Sequence, residues 1–165
     1  MGGEDGKAAV ETMSNFVEKG GLWVLAQNIL TLAVLALGPL LGDRAWPSAW
    51  LALGAIQFAI GGVFGVAGVR ALGQSRTPYP KPIHDAPLVQ AGIYQIVRHP
   101  LYSSLIYLSV GWSLFWSSSI ALIISMGLAA VLDGKSRREE RWLHEKFADY
   151  ADYCRRVKRF IPLIY

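Results

Sequence analysis

From Leu101 to Leu132 the chain runs through 32 residues without one Asp, Glu, Lys or Arg. The 33 residues that follow carry nine Lys/Arg and six Asp/Glu. A soluble fold intersperses charge with apolar residues, because every element has one wet face. A chain that enters and leaves lipid sorts them instead, since ionised side chains are costly in hydrocarbon. An apolar fraction of 53% in a chain of 165 residues agrees with a membrane class, and the length suits one domain.

Hydropathy divides that domain into spans. A polar, slightly acidic lead-in over 1–21 has two Lys against four Asp/Glu in its first twenty residues and no secretory signal pattern. Residues 22–165 form the membrane domain, with spans at 22–41, 49–72, 101–116 and 118–138. Spans of some twenty residues match a hydrocarbon core of about 30 Å, and the pair in the uncharged run is short for it. Gln27, Asn28 and Thr31 give the first span a polar face for bonds between helices, and Gly61 and Gly65 form a small-xxx-small pair in the second. An amphipathic helix is expected over 139–158, because Leu143, Phe147, Tyr150, Cys154 and Val157 recur at spacings of four and three. The expected fold is an all-α membrane bundle of about four transmembrane helices.

Between the second and third spans lies a connector with prolines at 78, 80, 82 and 87, which forbid a continuous helix. This loop and the tail hold nearly all the flanking Lys/Arg, so both are expected on the cytoplasmic side, with both termini inside. The same rule accounts for the net charge of +4 beside the spans, so nucleic acid is not an expected partner and membrane lipids are. Cys154 is the one cysteine, and His84 and His144 have no partners at ligand spacing, so no metal site is expected.

Chemistry is expected where the two polar segments flank the hairpin. Arg98 and His99 stand before it and Arg138, Glu139 and Glu140 after it. An antiparallel hairpin brings these ends together as cations, carboxylates and an imidazole beside lipid. Alone, each half has a plainer reading: Arg98 and His99 as interfacial anchors with Pro100 at a helix start, the Glu pair as a solvated helix face, and Trp142, Tyr150 and Tyr153 as an aromatic belt.

Taken together, Gly92-Ile-Tyr94-Gln-Ile-Val-Arg98-His99-Pro100-Leu-Tyr102, then Arg137-Arg-Glu-Glu-Arg-Trp-Leu143, then the tyrosine-rich basic stretch from Phe147 to Pro162 resemble the isoprenylcysteine carboxyl methyltransferase and phospholipid methyltransferase superfamily over about residues 50–165. The resemblance implies a membrane enzyme that uses S-adenosylmethionine in a cytoplasmic pocket formed by the central loop and the C-terminal helix. It implies that Pro87, Leu88 and Val89 line the cofactor cleft. Tyr94, Arg98, His99, Pro100, Leu101, Tyr102 and Glu139 would hold the cofactor, and Lys135 would face the substrate. Glu140 and Arg138 are the candidate catalytic residues, with Glu140 or His99 available to take a proton from an amine or thiol acceptor. Ser104 stands where members often have glycine, and Val157-Lys158-Arg159 where they have Val-Pro-Arg. The expected substrate is a lipophilic small molecule. Two other readings stay open: a membrane reductase of related architecture using NADPH, and a non-enzymatic scaffold with a basic lipid-binding tail.

Overall fold

The structure is a computed structural model that describes residues 11–42, 46–82 and 85–165. Readings on residues 1–10, on Asp43 and Arg44 and on His84 lie outside these. Among the described residues the fold is all-α, with no strand. Helix α1 covers residues 11–18. It is followed by α2 (Gly21–Leu41), α3 (Ser48–Leu72), α4 (Pro100–Phe115), α5 (Ser119–Lys146) and α6 (Tyr150–Arg156), with single 3₁₀ turns at Gly73–Ser75 and Gly92–Gln95.

Helices α2, α3 with its 3₁₀ extension, and α5 are long and apolar enough to cross a membrane. Their outer faces expose large apolar side chains such as Leu32, Val63 and Ile123, as a surface that meets hydrocarbon does. Helix α4 has 16 residues, about 24 Å at the usual rise, which is short of the hydrocarbon core. It is the inner member of the bundle, and it buries Ser103, Ser104, Ser109, Gly111, Ser113 and Leu114.

Small residues set the helix spacings. A Cβ on Gly61 would come within 2.7 Å of Leu108 Cγ, and one on Gly65 within 2.7 Å of Ser104 Oγ. Ser104 Oγ donates to the Gly61 carbonyl at 2.7 Å. Helices α3 and α4 are therefore backbone-close, and a hydroxyl satisfies a main-chain oxygen where lipid offers no alternative. Ser113 and Ser125 link α4 to α5 at 3.1 Å, and Gly134 of α5 makes room for the Trp23 indole of α2.

Helix boundaries follow local chemistry. Pro100 starts α4 at a position where its missing N–H costs nothing. The Ser118 hydroxyl caps α5 by accepting from Ala121 N. The α5 helix does not yield to a separate helix at 139. It continues to Lys146, because Lys135–Lys146 holds no glycine or proline and consists largely of good helix formers. The chain turns at Phe147–Asp149 instead, and the turn folds Leu143, Phe147, Cys154 and Leu88 around buried Tyr150, Tyr153 and Val157. An unbroken helix over 139–158 would carry these side chains away from Leu88 as a straight rod.

Candidate functional site

The polar connector does not leave the body of the protein. Its extended stretch Ala86–Val89 crosses the end of the bundle opposite α6, and a cleft lies between them with about 860 Å³ of empty space, part of it open to solvent. Leu72, Ser75, Arg76 and Thr77 form one wall, and Leu143, Phe147, Tyr150 and Tyr153 another. Arg98, His99, Leu101, Tyr102 and Glu139 close the inner end.

Two helices supply that inner end. The Tyr102 hydroxyl of α4 donates to Glu139 Oε2 of α5 at 2.8 Å. The His99 imidazole stacks on the Tyr102 ring at 5.3 Å with 4° between planes, and its Nδ1 lies 3.8 Å from Glu139 Oε2. The phenol of Tyr153 donates to the Tyr94 carbonyl at 2.6 Å, tying α6 to the Gly92–Gln95 turn. Burial pushes the phenol groups of Tyr94, Tyr150 and Tyr153 well above the ordinary tyrosine value of 10.0. They are neutral aromatic walls rather than sources of negative charge.

Behind the inner end sits a buried ionic cluster. Glu140 Oε1 accepts from Arg98 Nε at 2.9 Å and from His99 Nε2 at 3.0 Å. Arg159 of the tail spans both oxygens, with Nε 3.2 Å from Oε1 and Nη2 2.7 Å from Oε2. Arg98 also donates to the carbonyls of Cys154 and Val157. Arg98 N and His99 N donate to Lys158 O at 2.8 Å and Arg159 O at 3.1 Å, a short parallel bridge between Val97 and Lys158. The tail is thus laced along the segment that carries His99. An ion cluster buried this deeply is held by its hydrogen bonds, since desolvation cancels much of the Coulomb gain.

Of the residues singled out in the sequence, Pro87, Leu88, Val89, Tyr94, Arg98, His99, Leu101, Tyr102 and Glu139 line the cleft. Pro100, Lys135, Arg138 and Glu140 do not line it. Pro100 begins α4 and packs beside Gly68 of α3. The Lys135 ammonium is buried between helices, donating to Gln27 Oε1 at 2.7 Å and to Pro78 O at 2.9 Å, and it lies 5.0 Å from the centre of the Tyr102 ring. Gln27 therefore makes the interhelical bond that the polar face of α2 suggests. Arg138 sits about 100° around α5 from Glu139 and stacks over Trp142 at 5.0 Å, outside the cleft. Glu140 has both oxygens committed to cations and is a clamp rather than a free base. A role in proton transfer for Glu140 thus lacks a geometric basis, and Arg138 does not reach the cleft.

Sequence reasoning missed Arg76, which it counted only toward topology, and Tyr150 and Tyr153, which it read as a membrane belt. It also missed Arg159. The signal was available in the tyrosine spacing, since Tyr150 and Tyr153 fall on the same face of α6 as Val157. Among the described residues no group of three or more His, Cys, Asp or Glu is placed to hold a metal ion.

Known proteins add to this geometry. A family model for phospholipid methyltransferase matches residues 49–150, a range that begins with α3 and holds the connector, His99, Tyr102 and Glu139. The chain is 25% identical over 158 residues to the nickel-cobalt-cadmium resistance protein NccN of Alcaligenes xylosoxydans xylosoxydans, across 94% of this chain and 70% of that protein. It is 32% identical over 77 residues to the cobalt-zinc-cadmium resistance protein CzcN of Cupriavidus metallidurans, across 46% of this chain and 35% of that protein. The match to the family model over most of the chain shows that this protein belongs to the phospholipid methyltransferase family, and it is a membrane methyltransferase.

Proposed function

We propose that the protein transfers a methyl group from S-adenosylmethionine, held in the cleft, to a lipophilic small molecule at the cytoplasmic face of the membrane. The observation that carries this reading is the inner end of the cleft, where a carboxylate and a phenol from two helices, Glu139 and Tyr102, meet at 2.8 Å beside a stacked imidazole.

The residues present fit such a cofactor. It carries an ammonium, a carboxylate, ribose hydroxyls, an adenine and a sulfonium. Glu139 suits the ammonium or the hydroxyls as a charged acceptor. The faces of Tyr94, Tyr102 and Tyr153 suit a cation. Leu72, Leu143, Phe147 and Pro87–Val89 provide apolar surface for the adenine. Arg76 at the exposed rim suits the carboxylate better than Arg98, whose donors are spent on Glu140 and two carbonyls.

Bound there, S-adenosylmethionine supplies an electrophilic methyl group. The protein's share is alignment and water exclusion, the main resources for a displacement at carbon. Glu139 and the tyrosines orient, the 86–89 stretch and Phe147 exclude water, and the buried cluster around Glu140 keeps His99 in place. A carboxylate acceptor needs no base, whereas an amine or thiol must lose a proton. The imidazole of His99 is the group at the cleft able to accept it. Lys135, held by Gln27 and Pro78 outside the cleft, supports the Tyr102 ring and does not meet the acceptor.

The test uses protein in vesicles of a total bacterial lipid extract with methyl-tritiated S-adenosylmethionine. Label passing into the organic phase, and lost with Glu139→Ala, supports the reading. Oxidation of NADPH by the same vesicles, with no transfer of label, would replace it with the reductase reading.

A further inference from the structure

The cofactor site is bounded by residues that touch the cleft, yet its inner end depends on a residue that does not. Arg159 belongs to the tail, beyond the last helix. Among the described residues it is the one side chain that bonds both oxygens of Glu140, at 3.2 Å and 2.7 Å. Its remaining amino group lies 3.0 Å from Asp133 Oδ1, which also accepts from the Tyr165 hydroxyl at 2.8 Å. A guanidinium held at both ends in this way fixes the plane of the carboxylate it grips, because the planar fork presents its donors in a set geometry.

That plane decides how His99 is held. Glu140 Oε1 lies 3.0 Å from His99 Nε2. A carboxylate only accepts, so this contact assigns the hydrogen to Nε2. In the neutral ring Nδ1 then carries the lone pair, and Nδ1 is the nitrogen on the side of Glu139, 3.8 Å away. An oriented carboxylate that selects the tautomer of an imidazole is a recurrent way to aim the opposite nitrogen.

We propose that Arg159 is a positioning residue of the cofactor site, acting through Glu140 to hold His99 in its Nε2–H tautomer with Nδ1 toward the cleft. Its influence on methyl transfer rests on the reading of the cleft given above. Its influence on the imidazole does not. The charge of the tail is thereby used inside the protein at this position, while Arg155 and Arg156 stay at the surface.

The experiment compares wild type, Arg159→Lys and Arg159→Met as full-length protein in detergent. It reads ¹⁵N spectra of histidine-labelled protein and the affinity for S-adenosylhomocysteine. With three histidines in the chain, the His99 signal is assigned by His99→Asn. Wild type is expected to show one imidazole locked as Nε2–H. Arg159→Met is expected to show tautomer averaging and about tenfold weaker binding, the lower end of what losing an orienting partner costs. Arg159→Lys keeps the charge without the fork and is expected to fall between, with an unchanged melting temperature. If Arg159→Met does not fold, Arg159→Lys decides alone. A wild-type spectrum together with wild-type affinity in a folded variant overturns the proposal. A change in the His99 signal, with no binding of S-adenosylhomocysteine by wild type, would keep the positioning role and reject the cofactor reading.

Discussion

The Tyr102 hydroxyl donates to Glu139 Oε2 across 2.8 Å, joining residues 37 positions apart on two helices. A hydrogen bond to a charged partner contributes about 1.5–3 kcal/mol. In Tyr102→Phe the carboxylate loses its neutral donor and gains rotational freedom. The expected result is roughly tenfold weaker binding of S-adenosylhomocysteine and a melting temperature lowered by several degrees. Thermophoresis and a thermal melt on one sample check both.

The close approach of α3 and α4 predicts a sharp contrast among neighbouring glycines. Gly65→Leu must displace Ser104 Oγ, whereas nothing lies within 4 Å of a Cβ on Gly62. Overpacking of this kind costs about 1–3 kcal/mol. Gly65→Leu is expected to lower the melting temperature by several degrees, and Gly62→Leu to leave it near wild type. Equal melting of the two variants would show that the helices are not held backbone to backbone.

Much of this was legible in the sequence because lipid imposes simple rules. The small-residue pair Gly61 and Gly65 and the polar face at Gln27 took the expected roles, and the uncharged run 101–132 folded into two helices, since charge, size and hydrogen-bonding need are read directly from residue type. The short α4 was visible as a shortage of length, but its inner position was not, because burial by neighbours is a tertiary property. The site was legible where one motif supplied several cleft residues, as from Tyr94 to Tyr102. It was not legible where partners came from distant segments. Nothing local distinguishes Glu139, which faces the cleft, from Glu140, which faces Arg98 and Arg159. The two differ by about 100° of helix rotation, and only the packing of α5 sets the zero of that rotation. The tail was misread for a related reason. Its apolar spacing fits one long helix, and the turn at Phe147 exists to close a cluster with Leu88, 59 residues before it in the chain.

The two glutamates are accordingly predicted to fail in different ways. Glu140→Ala leaves Arg98 and Arg159 as buried cations without their shared carboxylate, and such a loss costs about 3–5 kcal/mol. Its melting temperature is expected to drop strongly. Glu139→Ala removes a carboxylate bonded to one phenol and is expected to melt near wild type while losing cofactor affinity. Thermal melts of the two variants side by side test this, and a stable Glu140→Ala would contradict the clamp.

Alkaline pH probes the aromatic wall. Burial raises the phenol groups of Tyr94, Tyr150 and Tyr153 above their ordinary value of 10.0. An acid with a raised value in the folded state stays protonated there, while the unfolded chain releases its proton near pH 10. The stabilisation is complete below that pH and is lost progressively above it. Melting temperatures at pH 8, 9.5 and 11 are expected to be level between the first two and lower at the third. Tyr153→Phe removes one titrating group and is expected to flatten that fall.

The central claim is that the cleft between the connector and α6 holds the methyl donor through Glu139. Isothermal titration of S-adenosylhomocysteine into detergent-purified protein, beside Glu139→Ala, tests it most directly. Saturable binding to wild type at one site, weakened at least tenfold in a Glu139→Ala variant that melts normally, is the predicted result. Absence of binding to folded wild type, or equal binding by both proteins, would contradict it.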